Sequence, residues 1–227
     1  MSSSPLVVHH LNDSRSQRVL WLLEELEVPY EITKHQRGAD MLAPKELKNV
    51  HPLGTAPVVT DGDVTIAESG AIVEYLIGKY ANGRFQPPES GKVDNLYFTH
   101  YAEGSLMPLL VNKLVFGIVP TRAPFLLRPI LRSVFDGLDK AMISPRLKAH
   151  ADYLESHLAK SGDWFAGGDG PTSADFMMSF ALEAWLNGAP QLLGPKLKDY
   201  VKRVHDRPAY QRALEKGGEY KYASASV

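Results

Sequence analysis

Three short stretches carry residue types that can hold or activate a small charged molecule. The first is Asn12-Asp13-Ser14-Arg15-Ser16-Gln17-Arg18, where two hydroxyls and two guanidinium groups fall within five residues. An apolar run precedes it and a helical pattern follows. A helix N-terminus presents free amide donors and a positive dipole end, so an anion is stabilised there. Plain helix capping uses the same residues, with Ser14 as N-cap and Gln17 three positions later. The second stretch is Pro52-Leu53-Gly54-Thr55-Ala56-Pro57-Val58. Pro57 opens a β-type run and has no amide proton for a ladder. Either a cis bond leaves the preceding backbone free for a ligand, or a trans proline opens an edge strand. The third is Glu68-Ser69-Gly70. Ser69 and the helix amides suit a carboxylate and Glu68 suits an ammonium, the two charges of an amino-acid head group. A capped helix behind a surface acid is the plainer use of the same residues.

The elements that must position these stretches alternate through the first 80 residues. Leu6 to Leu11 is short and apolar and reads as a strand. Ser14 to Val28 places Val19, Leu20, Leu22, Leu23 and Leu26 at helical spacing, with Glu24, Glu25 and Glu27 on other faces. Tyr30 to His35 is a second strand, and Pro44 to Val50 a short helix at best. Pro57 to Thr60 and Val64 to Ala67 are strands joined by Asp61-Gly62-Asp63, a hairpin signal. Ser69 to Tyr80 is helical. Gly83, Pro87, Pro88 and Gly91 then mark a boundary. Beyond it every pattern is helical: Lys92 to about Val119, Phe125 to about Met142, and a helix from Ser144-Pro145 to Ala159. Thr172-Ser173-Ala174-Asp175 caps the run Phe176 to Leu186, and Leu193 to His205 and Pro208 to Lys216 follow. The tail from Gly217 is expected to fray.

Composition narrows the function classes. Lys plus Arg is 25 against 26 for Asp plus Glu, so the net charge is −1 and a general nucleic-acid binder is disfavoured. There is no cysteine, which excludes disulfides, thiolate metal sites and a protein thiol as nucleophile. Eight histidines show no metal-binding spacing, so no metal is expected. Gly167-Gly168-Asp169-Gly170 precedes Pro171 with no strand before it, and reads as a loop rather than a nucleotide cradle. The first residues lack the charged and apolar regions of a signal peptide. No stretch of 18 uninterrupted apolar residues occurs, so no membrane span is expected. Asn12-Asp13-Ser14 matches a glycosylation sequon, read as chance in an intracellular protein.

Singly the three stretches are weak signals. In this order the chain resembles the cytosolic glutathione transferases, closest to fungal, theta-like members with a serine motif. The resemblance spans both halves of the chain. It is carried by Ser14-Arg15-Ser16-Gln17-Arg18-Val19-Leu20-Trp21-Leu22-Leu23-Glu24-Glu25-Leu26, His51-Pro52-Leu53-Gly54-Thr55-Ala56-Pro57, Glu68-Ser69-Gly70-Ala71-Ile72 and Thr172-Ser173-Ala174-Asp175. It implies an α+β architecture, with a thioredoxin-like α/β domain over residues 1–83 binding glutathione and an all-α domain over residues 91–227 forming the electrophile site. By the resemblance, Ser14 is the catalytic serine and Ser16 its nearest competitor. Pro57 is the cis proline, and Ala56 pairs with the cysteinyl part of glutathione. Glu68 and Ser69 hold the γ-glutamyl end, and Thr55 and Lys45 the glycyl carboxylate. The resemblance further implies a cytoplasmic homodimer, in which the helix after Ser69 meets the first long helix of the partner's second domain. Without cysteine the cysteine-type members are out of reach. No tyrosine sits on the first strand or in the loop after it, which argues against the tyrosine type.

A serine hydroxyl is too weak a base to take a thiol proton, but it can donate a hydrogen bond to the thiolate. Such a bond is worth about 1.5–3 kcal/mol and a helix N-terminus about 0.3–1 kcal/mol more. That is enough to lower a thiol pKa by roughly 1.5–3 units before desolvation takes part of it back. Conjugation to hydrophobic electrophiles and reduction of hydroperoxides both use this thiolate. A non-catalytic ligand-binding, regulatory or assembly role is the alternative on the same fold. Residues 104–135 hold no acid, but do hold Lys113, Arg122, Arg128 and Arg132 among many apolar residues. Tyr101, Met107, Leu110, Val111 and Phe116 are the candidate electrophile pocket. A membrane-surface role calls for a larger cationic excess.

Overall fold

The computed structural model describes residues 5–223. The outer limits of both expected domains, residues 1–4 and 224–227, lie outside the described residues. Strands β1 (Leu6–Leu11), β2 (Glu31–His35), β3 (Val58–Asp61) and β4 (Val64–Ala67) form one sheet in the order β2-β1-β3-β4. β1 and β2 are parallel, connected through helix α1 (Ser16–Leu26), whereas β3 runs antiparallel to both β1 and β4. A one-turn 3₁₀ helix (Lys45–Asn49) precedes β3, and α2 (Ser69–Tyr80) follows β4. This is the thioredoxin-like arrangement. Asp61 ties the hairpin to α2, accepting hydrogen bonds from Tyr75 at 2.8 Å, Lys79 at 2.6 Å and Tyr80 at 2.6 Å.

The apolar spacing in α1 marks one buried face, yet residues 16–24 and 26 are all buried. The helix is enclosed on both sides, by the sheet and by the helical half of the chain. Its charged residues therefore face protein and find partners there. Glu24 meets Arg212 at 2.9 Å, together with Lys216 and Tyr30. Burial works against the Glu24 anion, but bonds from Lys216, Tyr30 and Arg212 outweigh it and hold the carboxyl below the usual range. Glu25 pairs with Arg207, and Arg18 with Glu103 at 2.8 Å. Four cations or acids of the second half thus grip α1.

All further helices follow the boundary. They are α3 (Lys92–Tyr101), α4 (Met107–Arg122), α5 (Arg128–Leu138), α6 (Ser144–Ser161), α7 (Ser173–Gly188), α8 (Pro195–His205) and α9 (Pro208–Gly217). At the boundary Gly91 is required, because a Cβ there would sit 1.9 Å from the Ala166 carbonyl oxygen. The core of this half is α7, covered by α3 on one side and by α1 and α2 on another. Its capping box forms as expected: Thr172 and Asp175 bond each other's backbone. The buried Asp175 carboxylate also accepts the Phe165 amide at 3.0 Å, which docks the loop before the helix. Burial outweighs these bonds and pushes that carboxyl up to about 6.

One helix boundary departs from expectation, and the continuous helix expected from Lys92 passes its own proline in the same way. Ser144-Pro145 does not start a helix. The chain is helical without a break from Arg128 to Ser161, with a π-helical turn at Asp139–Ile143. A second π turn, Ala102–Leu106, joins α3 to α4 just before Pro108. A proline lacks the amide proton its helix position requires and crowds the carbonyl one turn back. Widening that turn to π geometry removes the clash, so each helix continues past its proline. As a result Glu89–Arg122 is one helical run of 34 residues, with mean hydropathy 1.4 over its most apolar window and 28% of that window buried. By length and composition alone it is long and apolar enough to cross a membrane, although charged and polar residues interrupt the run. Its first half is nonetheless packed in the core through Phe98, Ala102 and Leu106.

The expected start of α1 also shifts. The helix begins at Ser16, and Gln17 closes no capping box, since both its side-chain polar atoms are buried without partners among the described residues.

Candidate functional site

The sheet register gathers the three stretches at one end. β1 pairs with β3 at His9–Val58, so the continuation of both strands brings Leu11 beside Ala56. β3 pairs with β4 at Val58–Ala67, which brings Pro57 beside Glu68. β1 pairs with β2 at Leu11–His35, so Arg37 emerges at the same end. The Ala56–Pro57 bond is cis. Ala56 precedes the first ladder pair, which leaves its backbone outside the sheet. Glu68 has a left-handed backbone (φ 71°), a conformation costly for a residue with a Cβ and one that clusters at binding sites. It turns the chain sharply from β4 into α2, presenting Glu68 to solvent while Ser69 is buried at the helix start.

Ser14 and Ser16 are separated by this geometry. The Ser14 hydroxyl lies 2.8 Å from the Leu11 carbonyl and 2.8 Å from the Ser16 hydroxyl, and it accepts the Ser16 amide at 3.2 Å. The Ser16 hydroxyl accepts the Leu11 amide at 3.2 Å and lies 2.8 Å from His10 Nδ1. Ser16 is therefore an internal link, fully buried, and Ser14 is the outer end of the chain. Burial, with Lys34 and His35 close by, pushes His10 down to about 4, so the ring is neutral near pH 7. With its proton on Nδ1, His10 donates to Ser16 and Ser16 to Ser14, while the Ser14 hydroxyl donates to the Leu11 carbonyl and must turn from it to donate to a ligand. Each donor in such a row strengthens the next.

Ser14 opens onto a cavity of about 570 Å³ between the two halves of the chain. Ala56 lies on the same wall, while Met107, Leu110, Val111, Phe116, Phe180 and Trp185 form the apolar walls opposite. Four of the five expected pocket residues are thus present. Tyr101 is not among the lining residues. It is buried, bonded through its hydroxyl to His150, and stacked on Tyr97. Thr55 and Lys45 are both exposed and do not line the cavity either. Pro57, Glu68 and Ser69 stand at the same sheet end but outside its lining. Trp185 carries a buried Nε1 donor with no acceptor among the described residues.

Several lining residues escaped the sequence reading. Arg37 reaches the cavity and donates to the carbonyls of Asn12 at 3.3 Å and Met41 at 3.0 Å, so it braces the Ser14 loop and adds positive potential. Arg15, already singled out beside Ser14, lines the cavity as well, paired with Glu103 at 3.0 Å. The tail expected to fray instead folds back as far as Ala223. Tyr220 donates to buried Glu183 at 2.5 Å, the Lys221 amide to Asp13 at 2.7 Å, and Tyr222 packs edge-on to Phe180. Lys221 and Tyr222 close one side of the cavity. Two tyrosines in the last eight residues were the available signal, since a solvated tail has no use for them.

Comparison with known proteins agrees with this geometry. The glutathione S-transferase N-terminal domain family matches residues 5–78, and the glutathione S-transferase C-terminal domain family matches residues 126–217. Glutathione S-transferase 3 of Schizosaccharomyces pombe is 37% identical over 218 residues, covering 93% of this chain and 87% of its own. Glutathione S-transferase 1 of Saccharomyces cerevisiae is 31% identical, with 95% and 97% covered. The crystal structure of a glutathione S-transferase from Actinobacillus pleuropneumoniae superposes with a TM-score of 0.73 at 28% identity, covering 96% of each chain. Both halves of the fold, in this order, are matched along nearly the whole length, and so the chain belongs to the glutathione S-transferase family.

Proposed function

We propose that this chain is a catalytic glutathione transferase whose Ser14 hydroxyl donates a hydrogen bond to the thiolate of glutathione. The observation that carries this reading is the position of Ser14, at the outer end of a hydrogen-bonded row and on the wall of a largely apolar cavity. The thiol loses its proton to solvent, and the sulfur attacks an electrophilic carbon held by the helical half. A carbon–sulfur bond forms as the leaving group departs or, in an addition, as the substrate takes up a proton. Ala56, with its backbone free of the sheet, meets the cysteinyl part. Glu68 and Ser69 take the γ-glutamyl ammonium and carboxylate. Arg37 and Lys221, rather than Lys45 and Thr55, supply positive charge beside the cavity for the glycyl end.

On this reading Phe116 contacts the electrophile and not glutathione. Phe116→Ala is expected to raise KM for bulky apolar electrophiles about 5- to 30-fold, the scale of one lost apolar contact, and to leave the KM for glutathione within about twofold. Unchanged turnover of such electrophiles would remove the cavity from the account. The same reading expects a homodimer joined through α2 and α3, where Val93, Leu96 and Tyr97 are exposed. Sedimentation at micromolar concentration checks it, and a monomer throughout would refute it.

A further inference from the structure

The hairpin of α4 and α5 ends in a turn at residues 123–127 that projects apolar side chains into solvent. Phe125 is 73% exposed and Leu126 72%, and Ile130 and Val134 continue the surface along α5. No residue of α5 is buried, so this stripe is not part of the core. Arg122, Arg128 and Arg132 flank it, all exposed. Between Gly104 and Phe135 there is no acid to pair with them. Among the described residues the hairpin's one ion pair is Lys113–Asp139, at its base. Net charge conceals this arrangement, because the balancing acids lie elsewhere in the chain.

We propose that this tip docks peripherally on an anionic lipid bilayer. Phe125, Leu126 and Leu127 enter the interfacial region, where apolar surface leaves water, while the arginines reach headgroup phosphates and bury their stems alongside. Charge complementarity selects the bilayer over a second copy of this chain. A two-fold contact through the tip would set arginine against arginine with no carboxylate between them. The 34-residue helix does not leave the protein to span the membrane, since Phe98, Ala102 and Leu106 anchor its first half against α7. Attachment is therefore at the surface.

Co-sedimentation of the full chain with sucrose-loaded vesicles tests this. Vesicles of phosphatidylcholine with about one-third phosphatidylserine are expected to bind on the order of tenfold more tightly than pure phosphatidylcholine, and salt should weaken that binding. Phe125→Ser with Leu126→Ser, and separately Arg122→Gln with Arg128→Gln, should each lower the affinity on the order of tenfold while the melting temperature stays put. Absence of binding to the anionic vesicles would overturn the proposal. So would binding that both double variants leave unchanged, or variants that abolish self-association in sedimentation instead of vesicle binding.

Discussion

Ser14→Ala is expected to lower kcat/KM for conjugation about 10- to 100-fold while the Kd for glutathione moves less than about threefold. The magnitude follows from one hydrogen bond to a charged sulfur, about 1.5–3 kcal/mol, at about 1.36 kcal/mol per decade. Binding is expected to be spared because the proposed head-group residues, Glu68 and Ser69, stand elsewhere at the sheet end. Ser16→Ala is expected to cost less, about 3- to 10-fold, since Ser16 is fully buried and on the proposed reading acts only through Ser14. Its loss removes the hydroxyl, 2.8 Å away, that donates to Ser14 when the Ser14 proton turns from the Leu11 carbonyl to a ligand. The pH–rate profile separates this from a packing defect: the acid limb should move to higher pH in both variants, furthest in Ser14→Ala. A Ser16→Ala profile with the larger displacement would reverse the two roles.

Glu103→Ala is expected to destabilise the fold by about 3 kcal/mol, the low end for stranding a buried charge. The Arg18 side chain has no exposed surface, and its Nε and Nη2 find no partner among the described residues, so Glu103 at 2.8 Å is its principal compensation. Burial lowers the affinity of Arg18 for its proton, and Glu103 counters it. The Glu103 side chain is 31% exposed, so water recovers part of the loss and the high end of the range is not reached. The outer pair with Arg15, whose side chain is 39% exposed, adds little. Urea denaturation measures the effect. Arg18→Met combined with Glu103→Ala should be more stable than Glu103→Ala alone, because the charge needing a partner is gone. A single-variant loss below about 0.5 kcal/mol would show that Arg18 is hydrated despite its enclosure.

Why so much of the N-terminal half was legible is a matter of local signals. β1, β4 and α2 fall at the expected residues because apolar alternation, a hairpin turn and a capped helix are each written in adjacent positions. The cis bond at Pro57 and the gathering of Ser14, Ala56 and Glu68 followed from the family motifs. The register then explains that gathering: three strand continuations end at one edge. Ser14 and Ser16 were not separable in sequence, because two hydroxyls two residues apart offer the same chemistry. Only the inward row to His10 distinguishes them.

The helical half was harder for a physical reason. Apolar residues on long helices face the core, the cavity or solvent with the same spacing, so Tyr101 and Phe116 looked alike. Tyr101 faces α6 and Phe116 the cavity. Pro145 suggested a helix start, because a π turn that absorbs a proline leaves no pattern in composition. Arg37, Lys221 and Tyr222 are brought in by tertiary folding from a loop and a tail, where no periodicity points to a site.

The thiol of bound glutathione, titrated by thiolate ultraviolet absorbance across pH in the wild type and in Ser14→Ala, tests the central claim most directly. The account predicts a bound-thiol pKa about 1.5–3 units below that of a free cysteine in the wild type, rising by at least about one unit in the variant. Glutathione bound with an unshifted thiol, or a lowered pKa that Ser14→Ala leaves in place, would contradict it.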